Sequence, residues 1–140
     1  MKNRFSFAAV AASIFAIVAP ASADNALYLN CECKTATDSV GGGETCADFS
    51  AIVDIEKNTL QWNTTSDQYG PHLAEISSAL ISALVKGGPD GKDNSREDRI
   101  GINRVSGAFS WVMTFYTPDH PPDIHTYYDG MCTRVEGPKF

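Results

Sequence analysis

The sequence predicts a mainly β protein: a small antiparallel β-sandwich or closed barrel of seven to eight strands, disulfide-bonded and preceded by a cleaved export signal. Three observations carry that expectation. Apolar and polar residues alternate in several short runs, the period of a half-buried strand. Clusters of Gly, Pro, Asn and Asp punctuate those runs at short intervals, as in all-β domains. Four cysteines, an even number, stand in a chain whose start reads as an address to an oxidising compartment.

The address comes first in the chain. Lys2 and Arg4 give a basic start, an apolar stretch runs from Phe5 to Val18, and Ala21-Ser22-Ala23 supplies the small residues of a cleavage point. Residues 1–23 are therefore expected to be removed. The apolar stretch is short for a membrane span, which needs about 20 residues, and Pro20 and Asp24 follow it closely. The remaining residues, 24–140, suit a single β-rich domain placed in the periplasm or secreted.

Within that domain, Leu27, Leu29, Cys31 and Cys33 share one face of a first strand over residues 26–34, with Tyr28, Asn30, Glu32 and Lys34 on the other. Residues 35–45 are polar and contain Gly41-Gly42-Gly43, a loop. Alternation resumes over residues 47–56 with Phe49, Ala51, Val53 and Ile55 on one side, and a turn at 56–59 leads into Leu60-Gln-Trp62-Asn63, a hairpin. Residues 63–71 read as a polar connection. Residues 72–86 fit two periods: Leu73, Ile76, Leu80 and Leu84 make a helical stripe, while Ile81, Ala83 and Val85 against Leu80, Ser82 and Leu84 make a strand. The extended neighbours favour strand for residues 80–86. A hydrophilic loop is expected over 87–98, then a strand with Ile100 and Ile102 on one face. Ser106-Gly107 turns the chain into residues 108–116, where Phe109, Trp111, Met113 and Phe115 alternate inward. Residues 117–123 form a Pro-rich connection, and residues 124–135 a last strand carrying Cys132. Trp62, Phe109, Trp111 and Phe115 are the expected core aromatics.

Two bridges are expected from four cysteines. A Cys31–Cys33 ring would be strained, which leaves two schemes; we favour Cys33 with Cys46, closing the glycine loop, and Cys31 with Cys132, tying the first strand to the last.

Charge narrows the partner. The whole chain carries −6, and loss of Lys2 and Arg4 leaves 9 basic against 17 acidic residues, or −8. Nucleic acid and anionic membrane surfaces call for a basic face and are not expected partners.

No catalytic constellation or cofactor motif stands out, so a non-enzymatic protein without cofactor is expected. No serine lies in a Gly-x-Ser-x-Gly turn, and Cys31-Glu-Cys33 is one residue short of a redox dithiol. The weak metal candidates are Asp119, His120, Asp123 and His125, two imidazoles and two carboxylates in one loop, set against the plainer reading of a solvated surface. Residues 90–98 gather oxygen ligands but lack calcium-loop spacing. Arg104, in phase with Ile100 and Ile102, could meet an anionic ligand or keep its head in water at a strand end; the second reading is favoured.

Cys31-Glu-Cys33, Ile102-Asn-Arg-Val-Ser-Gly107, Tyr128-Asp-Gly-Met-Cys132 and the terminal Lys139-Phe140 together resemble a class of small exported proteins of the Gram-negative periplasm. The resemblance implies a β-rich exported domain with its first and last strands bridged, and it brings no assigned activity; the polar insertion over 87–98 departs from the pattern. The function expected is thus a binding or interaction module of the cell envelope, taking a protein, glycan or small molecule through loops at one end of the scaffold. An exported hydrolase inhibitor is the alternative, and metal handling through the His120/His125 loop a more distant one.

Overall fold

A computed structural model describes residues 25–42, 45–119 and 123–137; the expected export signal, 1–23, lies outside them. The described residues form nine strands and no helix: β1 (Ala26–Asp38), β2 (Phe49–Asp54), β3 (Thr59–Asn63), β4 (Gln68–Leu73), β5 (Glu75–Ile76), β6 (Leu80–Gly87), β7 (Asp93–Asn103), β8 (Ala108–Phe115) and β9 (Ile124–Val135). All pair antiparallel in one sheet of order β4-β3-β2-β1-β9-β8-β7-β6-β5.

That order contains its own closure. The two strands at its extremes, β4 and β5, are consecutive in the chain and separated by Ala74 alone. The sheet therefore has to curl until its ends meet, giving a nearly closed barrel in which β4 and β5 act as one bent stave. Two up-and-down meanders, β1 to β4 and β5 to β9, join where β1 pairs with β9.

A barrel of about eight staves has an interior just wide enough for side chains to fill. The inward row of each strand supplies them: Phe49, Ala51 and Val53, Leu60 and Trp62, Ile81, Ala83 and Val85, Ile100 and Ile102, Phe109 and Trp111, all buried. Aromatic rings occupy the middle. Trp62 stacks on Tyr69 with centroids 4.6 Å apart, and Trp111 meets Trp62, Tyr69 and Phe49 edge-on at 5.4–6.0 Å. Gly130 falls on the inward row of β9 because a Cβ there would come within 2.1 Å of the Glu32 carbonyl oxygen and 2.6 Å of the Phe109 ring. The outer row carries Glu32, Lys34, Glu97, Arg99 and Asp129, whereas a lipid-spanning barrel needs an apolar outer band.

Several sequence expectations need correction. There are nine strands rather than seven to eight: β4 begins in a stretch expected as a connection and β5 lies within the ambiguous residues 72–86, while a second expected connection, 87–98, gives up residues to β7. Within 63–71, β4 starts at Gln68; Gly70, at φ +88°, lets the strand bulge against β3 while Tyr69 turns inward. Within 87–98, β7 starts at Asp93, whose carboxylate accepts from the Ser95 N–H and hydroxyl, and the connection shrinks to 88–92. The first strand continues to Asp38 by pairing with β9 beyond a bulge at Cys33/Thr35. Ile55 leaves the inward row, lying in a turn and 37% exposed. Phe115 is part-buried at the rim rather than in the core. The strand favoured for residues 80–86 is present as β6, and Ser77 shapes the turn before it, its hydroxyl accepting from the N–H groups of Ala79 and Leu80.

Candidate functional site

With the barrel interior filled, the candidate sites lie at its two ends. Connections 55–58, 77–79 and 104–107 lie at one end, here called the turn end. Connections 39–48, 64–67, 88–92 and 116–123 lie at the other, the loop end.

The loop end is ordered by its own carboxylates. Asp38 accepts from the Val40 and Gly42 N–H groups at 3.0 and 2.7 Å, and Asp48 from Cys33 N–H at 2.9 Å. Asp90 accepts from Lys92 N–H and Asp123 from Thr117 N–H. The Asp38 and Asp90 bonds are the local hydrogen bonds that make Asp a turn residue, whereas Asp48 and Asp123 reach back across their connections. The Cys33–Cys46 bridge fastens the base of connection 39–48, and Cys31–Cys132 joins β1 to β9. No free cysteine remains, so Cys31-Glu-Cys33 is not a dithiol here.

Beneath these loops lies a cleft of about 160 Å³ whose floor includes Tyr69, Arg96 and Trp111. Asp98 is fully buried under it. Its carboxylate accepts from Arg96 Nε at 2.9 Å, Arg96 Nη2 at 3.0 Å and Trp111 Nε1 at 3.0 Å. Arg96 also donates to the Tyr69 hydroxyl and lies between the Tyr69 and Phe115 rings, 5.7 and 5.5 Å from their centroids. Burial, reinforced by the Asp98 charge, pushes the Tyr69 hydroxyl far above its ordinary range. Burial works against the Arg96 charge, but the hydrogen bonds and charge of Asp98 outweigh it and hold the guanidinium positive. The network is a mutually neutralised pair with a protonated phenol beside it. Chemically it can fix the shape of the floor and offer the outer edge of a guanidinium.

Sequence reading missed Arg96, Asp98 and Tyr69. The signal was present in the phase: Arg96, Asp98, Ile100 and Ile102 fall at every second position, so the two charges share the apolar row.

Of the metal candidates, His120 lies outside the described residues. Asp119 is exposed, Asp123 is spent on Thr117, and His125 faces outward, its Nδ1 3.1 Å from Thr114 Oγ1 across the β8–β9 ladder. Among the described residues no three His, Cys, Asp or Glu side chains converge. No described helix is long and apolar enough to cross a membrane.

On β4, His72 sits opposite Leu60 with a buried Nε2 that finds no hydrogen-bond partner. Burial holds its imidazole below the usual range, with the Asp98 charge opposing weakly. An imidazole whose folded pKa is lowered binds fewer protons folded than unfolded in the window between the two values. Stability is therefore full above the unfolded value, about 6.5, and falls as pH drops through that window. Urea midpoints measured from pH 7.5 to 5 should decline for the wild type and flatten over the same range in His72→Gln.

No protein-family model, no curated protein and no solved structure matches this chain.

Proposed function

We propose that this chain is an exported, non-enzymatic binding module of the cell envelope that docks a cationic protein surface with the loop end of its barrel. One observation carries the reading: charge is segregated along the barrel axis. Among the described residues of the loop-end connections, Asp48, Asp67, Asp90, Asp119 and Asp123 stand against the single cation Lys92. Asp48, Asp67, Asp90 and Asp123 are held by hydrogen bonds from neutral donors, which add no positive charge, so the end presents a concentrated negative field on a bridged scaffold. Such a field steers encounter with a basic partner and fixes its orientation. The exported setting and the two disulfides fit a partner outside the cytoplasm. A basic hydrolase is the specific form of partner that would make this an inhibitor, since rigid loops on a disulfide-bonded frame lose little freedom on docking.

The test is binding of immobilised protein to a panel of basic envelope and secreted proteins, lysozymes included, at low and high salt. Binding should weaken steeply with salt and fall about tenfold or more when Asp48, Asp67, Asp90 and Asp119 become Asn together, because Asn keeps the turn geometry and removes charge. Neutralising Glu32, Glu56, Glu75 and Asp129 should leave it nearly unchanged. Equal losses from both sets would reduce the effect to net charge and sink the proposal. Slowed turnover of a bound hydrolase would identify the inhibitor form.

A further inference from the structure

The turn end differs from the loop end in both charge and lining. A cleft of about 350 Å³ opens there, with Leu27, Leu29, Ile81 and Ile102 among its walls and Arg104 and Arg134 beside them. Ile81 and Ile102 are the outermost buried residues of their inward rows, and Leu27 and Leu29 pack on the same core. The volume lies within the roughly 300–1,000 Å³ of small-molecule sites.

Both arginines line this cleft, one from a strand and one from a turn. Arg134 follows Thr126, Tyr128 and Cys132 on the inward row of β9 and stands opposite Leu29 in the β1–β9 ladder. Arg104 continues the phase of Ile100 and Ile102 into the turn after β7, and its Nη1 donates to the Ser77 carbonyl, which holds it at the rim. Among the described residues their charges are uncompensated: Arg96 pairs with Asp98 and Arg99 with Glu97, while Arg104 and Arg134 meet no carboxylate. A rim position needing no more than a soluble strand end would be served by one arginine with its head in water. Two on one apolar cleft, in a chain of net charge −6, make a complementary pair of features: planar donors for an oxyanion and an aliphatic wall beneath them.

We infer that the turn end binds an amphipathic anion, a medium-chain aliphatic carboxylate, with its head between Arg104 and Arg134 and its chain along Leu27, Leu29, Ile81 and Ile102. This site is independent of the loop end. Its ligand is small and negative where the loop-end partner is large and positive.

The probe is decanoate below its micellar concentration, titrated by calorimetry and by proton–nitrogen NMR into the protein as its host processes it. Decanoate should bind and shift the amides of residues 27–29, 102–107 and 132–134. Decanol, lacking the charge, and acetate, lacking the chain, should each bind at least about tenfold more weakly, the scale of a charge-assisted hydrogen bond. Arg104→Gln and Arg134→Gln should each weaken decanoate by a similar factor. Both positions are exposed, so the fold is retained, and unchanged circular dichroism verifies it. Absence of decanoate binding, decanol binding as tightly as decanoate, or undiminished binding in the Arg104→Gln/Arg134→Gln double variant would each overturn the inference. Binding with shifts confined to the loop end would overturn it as well.

Discussion

Replacing Asp98 with Ala should lower stability by about 3–5 kcal/mol, the cost of leaving a buried charge without its partner. Asp98 is inaccessible to solvent and the Arg96 side chain is 14% exposed, so water cannot take over the lost hydrogen bonds. Three of those bonds vanish at once, and Trp111 Nε1 is left inside the barrel with no acceptor. For a domain whose whole stability is typically about 5–15 kcal/mol, the loss is a large share. Urea denaturation followed by tryptophan fluorescence reads it as a drop of one molar or more in midpoint, given a slope of roughly 1–3 kcal/mol per molar. The second arm separates a damaged charge pair from simple loss of packing. Arg96→Met combined with Asp98→Leu removes both charges and refills the space, and it should cost clearly less than Asp98→Ala alone. If the double variant loses as much as or more than the single one, the pair is not the unit that matters.

The contrast between Asp98 and its neighbours explains what was legible in the sequence. Phe109, Trp111 and Met113 alternate with small or β-branched residues, and that run lies where its pattern places it, inward on β8. Arg96 and Asp98 obey the same alternation on β7, but charges on an apolar row look like a loop until their mutual neutralisation is known. Tyr69 was hidden for a different reason: the Gly70-Pro71 pair beside it reads as a break, whereas here Gly70 absorbs a bulge and the strand goes on. A closed barrel was one of two architectures the sequence allowed, and the choice of barrel over sandwich was not legible. It follows from Ala74 being the entire link between β4 and β5, and a one-residue link between two short polar-looking segments leaves no periodic trace. The turn-end cleft shares that property, since Arg104 announces its phase with Ile100 and Ile102, while Arg134 meets Leu29 only through the β1–β9 register.

That register is also where the second large effect is expected. Cys31 and Cys132 are direct partners in the β1–β9 ladder and are bridged across a sequence separation of 101. No turn connects β1 to β9; the two meanders meet there through hydrogen bonds, packing and this bridge. Replacing both cysteines with Ala should lower stability by about 4–5 kcal/mol in the chain-entropy description, because the unfolded chain regains a very long loop. The Cys33–Cys46 bridge spans a separation of 13, and its removal should cost less, about 3 kcal/mol. Matched urea curves of the two double variants, with the reduced wild type as a limit, give the ranking; equal losses would show that native packing rather than loop length sets the contribution. The two bridges also sit at different distances from the two ends of the barrel. Cys132 lines the turn-end cleft, so loss of Cys31–Cys132 should weaken decanoate binding and spare a loop-end partner under conditions where the variant remains folded. Loss of Cys33–Cys46 frees connection 39–48 and should do the reverse. Each bridge thus supports one proposed site, and the crossed pattern of losses distinguishes two independent ends from a single site felt through the whole barrel.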